Sequence, residues 1–178
     1  FRPRHLAFPG AEGYGRFSIG GRGGTVYHVT SLDDDVENPQ PGTFRYGITK
    51  VKGPRTIVFD VAGYIELKGR LLCSDKYVTV AGQTAPGKGV ILKGAPFGMN
   101  SDGITRFMRI HRGYAATEAA QSRGLDGFGI AGGDHAIMDH CSIAWTTDEG
   151  FSSRGAKSIT LQKTMISEAL NCADHPNY

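Results

Sequence analysis

The chain has 178 residues, of which 39% are hydrophobic and 21% are charged. This is enough chain for one folded domain with its own core, and the composition excludes a disordered or low-complexity protein. The net charge is only +3, and lysine and arginine form no run, so we expect no nucleic-acid-binding arm and no membrane-binding patch. The mildly basic balance fits either an ordinary solvated surface or an affinity for a carboxylated polymer. No apolar run reaches the roughly 18 residues of a membrane span, and no signal peptide is visible.

The three cysteines, Cys73, Cys141 and Cys172, match neither a disulfide framework nor a zinc site. We interpret them as small buried apolar residues. One disulfide plus a free thiol is the alternative that the sequence leaves open.

Glycine is over-represented, with 26 of 178 residues, about twice its usual share of roughly 7%. The glycines stand beside short runs rich in valine, isoleucine, threonine and aromatic residues, which is typical of brief strands separated by tight corners. Helical periodicity is limited to a turn near 43–50 and a candidate at 114–122. In chain order, the predicted strands are 24–32, 55–67, 76–83, 89–95, 104–113, 127–133, 135–145 and 157–170.

Comparable strands recur about every 20 to 29 residues, with loops of variable length between them. A sandwich would show strands at closer spacing and clear hairpin signals. We therefore predict an all-β fold, a right-handed parallel β-helix, as one domain over 1–178. The expected N-terminal cap covers about 1–54 and the rungs about 55–178. We expect the β-helix to be incomplete at its C-terminal end, because no capping pattern follows the last strand.

The stretch "HAIMDHCSIAWTTDEG" (135–150) combines strand-forming residues with an Asp-His pair and a pair of carboxylates. Asp139 and His140 lie in its middle, and Asp148 and Glu149 close it. Strands rarely carry acidic residues, and an unpaired buried charge is costly, so these residues need a structural or chemical reason.

Five segments together resemble the pectate lyase family, in order and from about residue 7 to residue 170. They are "AFPGAEGYG" (7–15), "GGRGGTVYHVTSL" (20–32), "RTIVFDVAGYIEL" (55–67), "VTVAGQTAPGKGV" (78–90) and "IMDHCSIAWTTDEGF" (137–151). The resemblance implies a β-helix enzyme that cleaves a polymer of uronic acids by calcium-assisted β-elimination. A base removes the proton beside the carboxylate, the glycosidic oxygen leaves from the adjacent carbon, and calcium stabilises the developing charge.

The resemblance also implies the metal ligands. The calcium carboxylates of the family correspond best to Asp126 and Asp148, with Glu149 as a replacement or helper. Ser152 stands where a third ligand is expected, which is a departure from the pattern. An ordinary Asp-Gly turn at Asp126 and a strand-end carboxylate at Asp148 are the alternatives. For Asp139 and His140 we predict structural hydrogen bonding and stacking within the strand.

Arginine suits bidentate recognition of carboxylates, and the chain offers several. We predict that Arg106, Arg112 and Arg154 bind substrate, with Arg109 and Arg123 as further candidates; a solvated edge is the alternative for each. The catalytic residues stay unknown, because the family's base would come from a later rung, beyond Tyr178. A longer chain or a second chain completing the β-helix would supply it.

We therefore expect a secreted polysaccharide lyase that acts on pectate or polygalacturonate with Ca²⁺ as its cofactor. Two alternatives stay open. One is a glycoside hydrolase on the same scaffold, which would use paired carboxylates and need no calcium. The other is a carbohydrate-binding β-helix without turnover.

Overall fold

A computed structural model describes residues 5–114 and 126–171. Their strands form three parallel sheets of six, five and four strands. Sheet A contains β1 (Thr25–Val29), β2 (Arg55–Phe59), β5 (Val78–Ala81), β8 (Ile104–Arg106), β11 (Asp134–Asp139) and β14 (Lys157–Gln162). Sheet B contains β3 (Gly63–Glu66), β6 (Val90–Lys93), β9 (Arg109–His111), β12 (Ser142–Ala144) and β15 (Met165–Ser167). Sheet C contains β4 (Leu71–Leu72), β7 (Phe97–Gly98), β10 (Phe128–Gly129) and β13 (Phe151–Ser152).

From β2 onward the chain visits sheets A, B and C in turn and then returns to sheet A beside its previous strand, so each complete turn of three strands is one rung. This is the predicted parallel β-helix. Four of the predicted long strands are pairs of short strands with a corner between them; 55–67, for example, is β2 followed by β3. The predicted turn near 43–50 is the helix α1, Phe44–Thr49, and short 3₁₀ turns lie at Tyr14–Phe17 and Gly82–Thr84. The helical candidate at 114–122 lies almost wholly outside the described residues.

Apolar side chains stack inside the solenoid, because parallel pairing places equivalent residues of successive rungs next to each other. On sheet C, Phe97, Phe128 and Phe151 are in register, with ring centroids 5.4 and 5.9 Å apart. Phe44 of α1 continues this column, 5.2 Å from the ring of Phe97. Sheet B contributes an aliphatic column at the equivalent inward position: Ile65, Leu92, Ile110, Ile143 and Ile166.

The last described rung leaves apolar side chains uncovered. Ile166 is 50% exposed, whereas Ile143, its partner in the preceding rung, is fully buried. Its neighbour Met165 is 61% exposed. Of the cysteines, Cys73 and Cys141 are buried free thiols, as predicted, and Cys172 lies outside the described residues. None of the helices within 5–114 and 126–171 has the length and apolar character needed to cross a membrane.

The corner between sheets A and B uses a left-handed backbone at residues that are not glycine. Phe107, His140 and Lys163 follow β8, β11 and β14, and their φ angles lie between 47° and 54°. This conformation costs about 1–2 kcal/mol for a residue with a side chain. Stacking offsets part of it, since the ring planes of Phe107 and His140 lie 8° apart with centroids at 4.7 Å. The predicted stacking of His140 is confirmed.

Asp139 is completely buried and accepts three hydrogen bonds at the same corner. Its carboxylate receives Arg106 Nε at 2.8 Å, Gln162 Nε2 at 2.7 Å and the Nδ1 of His140 at 2.9 Å. Arg106 and Gln162 are the partners of Asp139 in the neighbouring strands, so the carboxylate ties three rungs together. The predicted structural role of Asp139 is therefore confirmed.

The N-terminal segment covers the outer face of sheet A. Phe8 packs with Ile104 and Ile137 in a second apolar cluster. A Cβ added to Gly15 would lie 2.2 Å from the carbonyl oxygen of Ala136, and one at Gly21 would lie 2.0 Å from that of Arg55. The glycines of "GYGRFSIGGRGG" therefore allow backbone to lie directly on backbone.

A buried ion pair joins α1 to the first rungs. Arg45 donates to Asp34 through Nε at 2.7 Å and Nη2 at 2.8 Å, and Asp34 also accepts the backbone N–H of Lys68 at 2.8 Å. The composition of "SLDDDVEN" (31–38) is typical of a solvated loop, but Asp34 within it is only 4% exposed. The sequence does not show that Arg45, eleven residues later, turns its guanidinium towards this carboxylate.

We predict that Asp139→Asn destabilises the protein by about 3 kcal/mol, because it removes the charged partner of Arg106 from a buried site. Asp60→Asn is the matched control: Asp60 pairs with His28, but both side chains are about half exposed, so the loss should stay below about 1 kcal/mol. Denaturant unfolding of both variants measures the difference. Equal losses would contradict the assigned role of Asp139.

The effect of Asp139→Asn on the free energy of unfolding should depend on pH. Burial alone would raise the pKa of Asp139, but hydrogen bonds from His140, Arg106 and Gln162 hold it below its ordinary value. The ionised carboxylate therefore stabilises the fold above about pH 4, and this contribution is lost as the pH falls through the lowered pKa. The stability difference between wild type and Asp139→Asn should shrink below about pH 4.

Candidate functional site

The loops that lead into sheet C carry the acidic residues. Asp126 and Glu149 each stand two residues before the first residue of a sheet C strand, β10 and β13 respectively. Phe128 and Phe151 are in register, so Asp126 and Glu149 occupy equivalent positions on neighbouring rungs. The N–H of Gly127 donates to the carbonyl of Glu149 at 2.9 Å and holds the two loops side by side. Rungs stack about 4.8 Å apart, so this register brings two like charges together.

Asp126, Asp148 and Glu149 form one carboxylate cluster. An oxygen from each lies within 4.8 Å of an oxygen from the other two. Asp126 is half-buried, and Asp148 and Glu149 are exposed, so the cluster opens to solvent. The structure thus brings together all three residues that the sequence predicted as metal ligands.

The cluster perturbs the protonation of its own members. The pKa of Asp126 is raised to about 6, first by burial, then by a hydrogen bond shared with Glu149, and then by the negative charges of Glu149 and Asp148. The hydrogen bond from Asp126 lowers the pKa of Glu149. Without a cation, the two carboxyl groups therefore favour sharing one proton.

The chemistry of the cluster fits a hard divalent cation. Calcium takes oxygen ligands and accommodates several carboxylates with flexible geometry. Three convergent carboxylates facing solvent provide these ligands and leave room for water or a substrate oxygen. Burial and the neighbouring carboxylates raise the pKa of Asp126, and a bound cation would favour its ionised form.

The loop that carries Asp148 and Glu149 is held from below by Arg112. This side chain is 1% exposed, and its Nη1 donates to the carbonyl of Gly113 at 2.9 Å and to the Oγ1 of Thr147 at 3.1 Å. Burial lowers the pKa of the Arg112 guanidinium, and the negative charge of Asp126 acts in the opposite direction. Arg112 is thus a buried positive charge beneath the acidic cluster.

The three arginines predicted to bind substrate have different surroundings. Arg112 is buried, and Arg106 is bound to Asp139 with its guanidinium 3.8 Å from the ring centroid of Phe8. Neither is free to meet a polymer at the surface, so the geometry assigns both a structural role in place of the predicted one. Arg154 is exposed, and its positive charge contributes to the low pKa of Glu149. Its role in substrate binding stays a prediction.

The remaining candidate residues for substrate or metal binding lie in three different places. Arg109 lies in β9, on a different sheet from the cluster, and Arg123 lies outside the described residues. Ser152, at the position of the expected third ligand, lies in β13 and lines a cavity next to Asp126.

Sequence reasoning missed Arg70. This exposed side chain lines the same cavity, and its positive charge lowers the pKa of Asp126 against the other influences. Arg70 is far from the acidic residues in the chain, and no motif marks it. Only the stacking of rungs brings it to the same face.

We predict that Glu149→Gln lowers the pKa of Asp126 from about 6 towards its ordinary value. The substitution removes the negative charge and the carboxylate acceptor that favour the protonated form of Asp126, whereas the burial stays. The readout is an NMR titration of labelled aspartate carboxyl carbons in calcium-free buffer. Glu66→Gln, which removes an exposed carboxylate paired with Lys93 on sheet B, is the control and should leave the titration of Asp126 unchanged. An unaltered pKa in Glu149→Gln would show that the two groups do not interact.

Comparison with known proteins was made for sequence and for structure. No protein-family model matches the chain. A probable pectate lyase C of Emericella nidulans is 42% identical over 168 residues, covering 93% of this chain and 37% of the relative. A probable pectate lyase 12 of Arabidopsis thaliana is 32% identical over 171 residues, covering 87% of this chain and 34% of the relative. The chain therefore spans little more than a third of the length of these relatives.

The solved structure of Jun a 1, the major allergen from cedar pollen, matches the fold with a TM-score of 0.69. It is 29% identical in sequence, and the match covers 84% of this chain and 46% of that protein. Because the sequence similarity extends over nearly the whole chain and accompanies a shared parallel β-helix, the chain belongs to the pectate lyase family.

Proposed function

We propose that the protein is a polysaccharide lyase that cleaves a uronic-acid polymer such as pectate by calcium-assisted β-elimination. The observation that carries the proposal is the convergence of Asp126, Asp148 and Glu149 on neighbouring rungs, with oxygens within 4.8 Å of one another. The names of the related proteins support the same substrate class. An enzyme for such a polymer meets it outside the cell, so we propose that the protein is secreted.

In this proposal Asp126, Asp148 and Glu149 hold Ca²⁺. Bound there, the ion would supply a Lewis acid that draws negative charge from the substrate carboxylate. The chain's own contribution is to place the ligands. Arg112 supports the loop that carries two of them, and the register of β10 and β13 fixes Asp126 beside Glu149. Ligands that are held in place before the reaction are the basis on which a preorganised site lowers a barrier.

The base that removes the proton is proposed to come from a later rung of a longer chain or from a companion chain. In the part of the chain that the structure describes, the arginine beneath the cluster is buried and holds Thr147, so it is poorly placed to reach a sugar. We assign no catalytic residue within residues 1–178.

A glycoside hydrolase on the same scaffold is the second candidate, and the raised pKa of Asp126 is the observation that favours it. A carboxyl group protonated near pH 6 suits a general acid, and a neighbouring carboxylate such as Asp148 would complete the pair. Such an enzyme would produce saturated ends and would not depend on calcium.

The two candidates differ in their products. We expect the purified protein, in its full-length form, to release unsaturated uronides from polygalacturonate, seen as ultraviolet absorbance, with calcium and not with a chelator. New reducing ends without this absorbance would indicate hydrolysis and contradict the lyase. Binding of polygalacturonate without either product would indicate a carbohydrate-binding protein without turnover.

Calcium binding is a separate measurement that needs no base. We predict that Asp148→Asn weakens calcium binding at least about tenfold in isothermal titration, because even residues that only support metal ligands cost 10- to 100-fold. The fold should be unchanged, since Asp148 is exposed. Asp35→Asn is the control: Asp35 is also exposed and acidic but lies in the "SLDDDVEN" segment, where its Oδ1 accepts two backbone N–H groups. Unchanged affinity in Asp148→Asn, or equal loss in both variants, would remove Asp148 from the site.

A further inference from the structure

An exposed tryptophan lies at the end of sheet B, outside the carboxylate cluster. Trp145 is the only tryptophan in the 178 residues, and it is 42% exposed. It directly follows β12, and the buried residues Thr146 and Thr147 separate it from Asp148 in the chain. The described contacts of its ring are with a residue of sheet B and with the residue that follows β15. The proposed lyase reaction gives this ring no role.

Trp145 is held in one orientation. Its φ of 54° is in the left-handed region, which is rare for a bulky residue and is a kind of strain often found at functional sites. Its backbone N–H donates to the carbonyl of Glu168 at 3.1 Å, and its indole Nε1 donates to Oε2 of the same residue at 2.8 Å. The ring of His111 meets the indole at 64°, with centroids 5.1 Å apart. Because the ring is already ordered, a ligand that packs on it loses less free energy to ordering.

Two polar side chains that can bind hydroxyl groups lie on the same face. His111 and Ser142 point outward from sheet B, since their strand neighbours Ile110 and Ile143 are buried. His111 Nε2 lies 2.5 Å from Ser142 Oγ, and both side chains are partly exposed. Burial, and then the positive charge of Arg109, lower the pKa of His111, so its ring is neutral near pH 7. A neutral imidazole and a hydroxyl can each donate and accept a hydrogen bond.

The charge beside the ring indicates which kind of ligand fits. Glu168 is exposed, and its carboxylate has room for hydrogen bonds besides the one from Trp145. A carboxylate in this position attracts hydroxyl donors and repels another carboxylate. Arg109, a cation on the same sheet, donates to the carbonyl of Lys88. An aromatic ring with hydroxyl-binding groups and a carboxylate at its edge suits a neutral sugar, whose C–H face packs on the ring while its hydroxyls bind around it.

We propose that Trp145, Glu168, His111 and Ser142 form a second carbohydrate site, which binds a neutral sugar residue of a glycan by stacking on the indole. The site lies at the outer edge of sheet B, whereas the carboxylate cluster lies on the loops that lead into sheet C. It goes beyond the proposed function, because it needs no calcium and carries out no chemistry. A second contact on one polymer raises the local concentration of that polymer at the protein.

The test titrates the full-length protein with galactotetraose and with tetragalacturonate, in the presence of a chelator that keeps calcium from the carboxylate cluster. The rings of the two sugars have the same configuration, but the second sugar carries a carboxylate on each ring. We expect galactotetraose to shift the indole N–H signal of Trp145 in the NMR spectrum, where Trp145→Phe identifies this signal by its loss. Tetragalacturonate should bind at this signal at least about tenfold more weakly.

Variants test the two main contacts. Trp145→Ala should weaken binding of galactotetraose about tenfold in isothermal titration, because it removes the ring on which the sugar packs. Tyr14→Ala, which removes an 81% exposed ring of the N-terminal segment, is the control and should change nothing. Glu168→Gln keeps an oxygen that can accept from Trp145 but removes the charge, so the preference for the neutral sugar should fall about tenfold. A purely structural Glu168 would not change this preference, and the variant tests the site even if Trp145→Ala fails to fold.

Three outcomes would overturn the inference. The first is the absence of a shift of the Trp145 signal with galactotetraose, and the second is equal binding of this sugar by the wild type and Trp145→Ala. The third is tetragalacturonate binding as tightly as galactotetraose, which would contradict the assigned class of ligand. Calcium-dependent cleavage of polygalacturonate is measured separately, so each of these outcomes leaves the proposed function standing.

Discussion

The register between successive rungs is the constraint on which the rest of the structure depends. Parallel pairing places each residue about 4.8 Å from its equivalent in the next rung. Each side chain therefore contacts the side chains at the same position of the neighbouring rungs, which together form one column. Apolar columns such as Phe97, Phe128 and Phe151 gain from this arrangement. Carboxylates in one column repel each other, and burial together with the neighbouring Glu149 raises the pKa of Asp126. The architecture that builds the core thus creates the carboxylate cluster as well.

Positive charges surround the carboxylate cluster without filling it. Arg112 lies beneath the loop as a buried cation, and the positive charges of Arg154 and Arg70 act to lower the pKa values of Glu149 and Asp126, respectively. Their field reduces the repulsion among the carboxylates while leaving the oxygens accessible, as a cation site requires.

Arginine has two different roles in this protein, and the role depends on where the residue lies in the solenoid. Arg45, Arg106 and Arg112 are largely buried and bind carbonyls or carboxylates of the protein, so they connect rungs or loops. Arg70 and Arg154 are exposed on the side that carries the cluster. Sequence proximity to the acidic motifs does not distinguish the two groups. Arg112 is nearer in the chain to Asp126 than Arg70 is, yet Arg112 is the buried one.

The sequence by itself predicted the parallel β-helix and the turn at α1, because strand composition and glycine spacing are local patterns. The family resemblance identified Asp126, Asp148 and Glu149 as the candidate metal ligands. It also indicated that Asp139 and His140 are structural. Only the tertiary structure decided that the long predicted strands bend at left-handed corners such as Phe107 and Lys163, since residues of these types rarely adopt that conformation. The division of the arginines, the burial of Asp34 against Arg45 and the position of Arg70 near Asp126 were likewise decided by stacking. Residues from different turns come into contact only when the rungs stack. Their separation in the sequence does not show which of them will be neighbours.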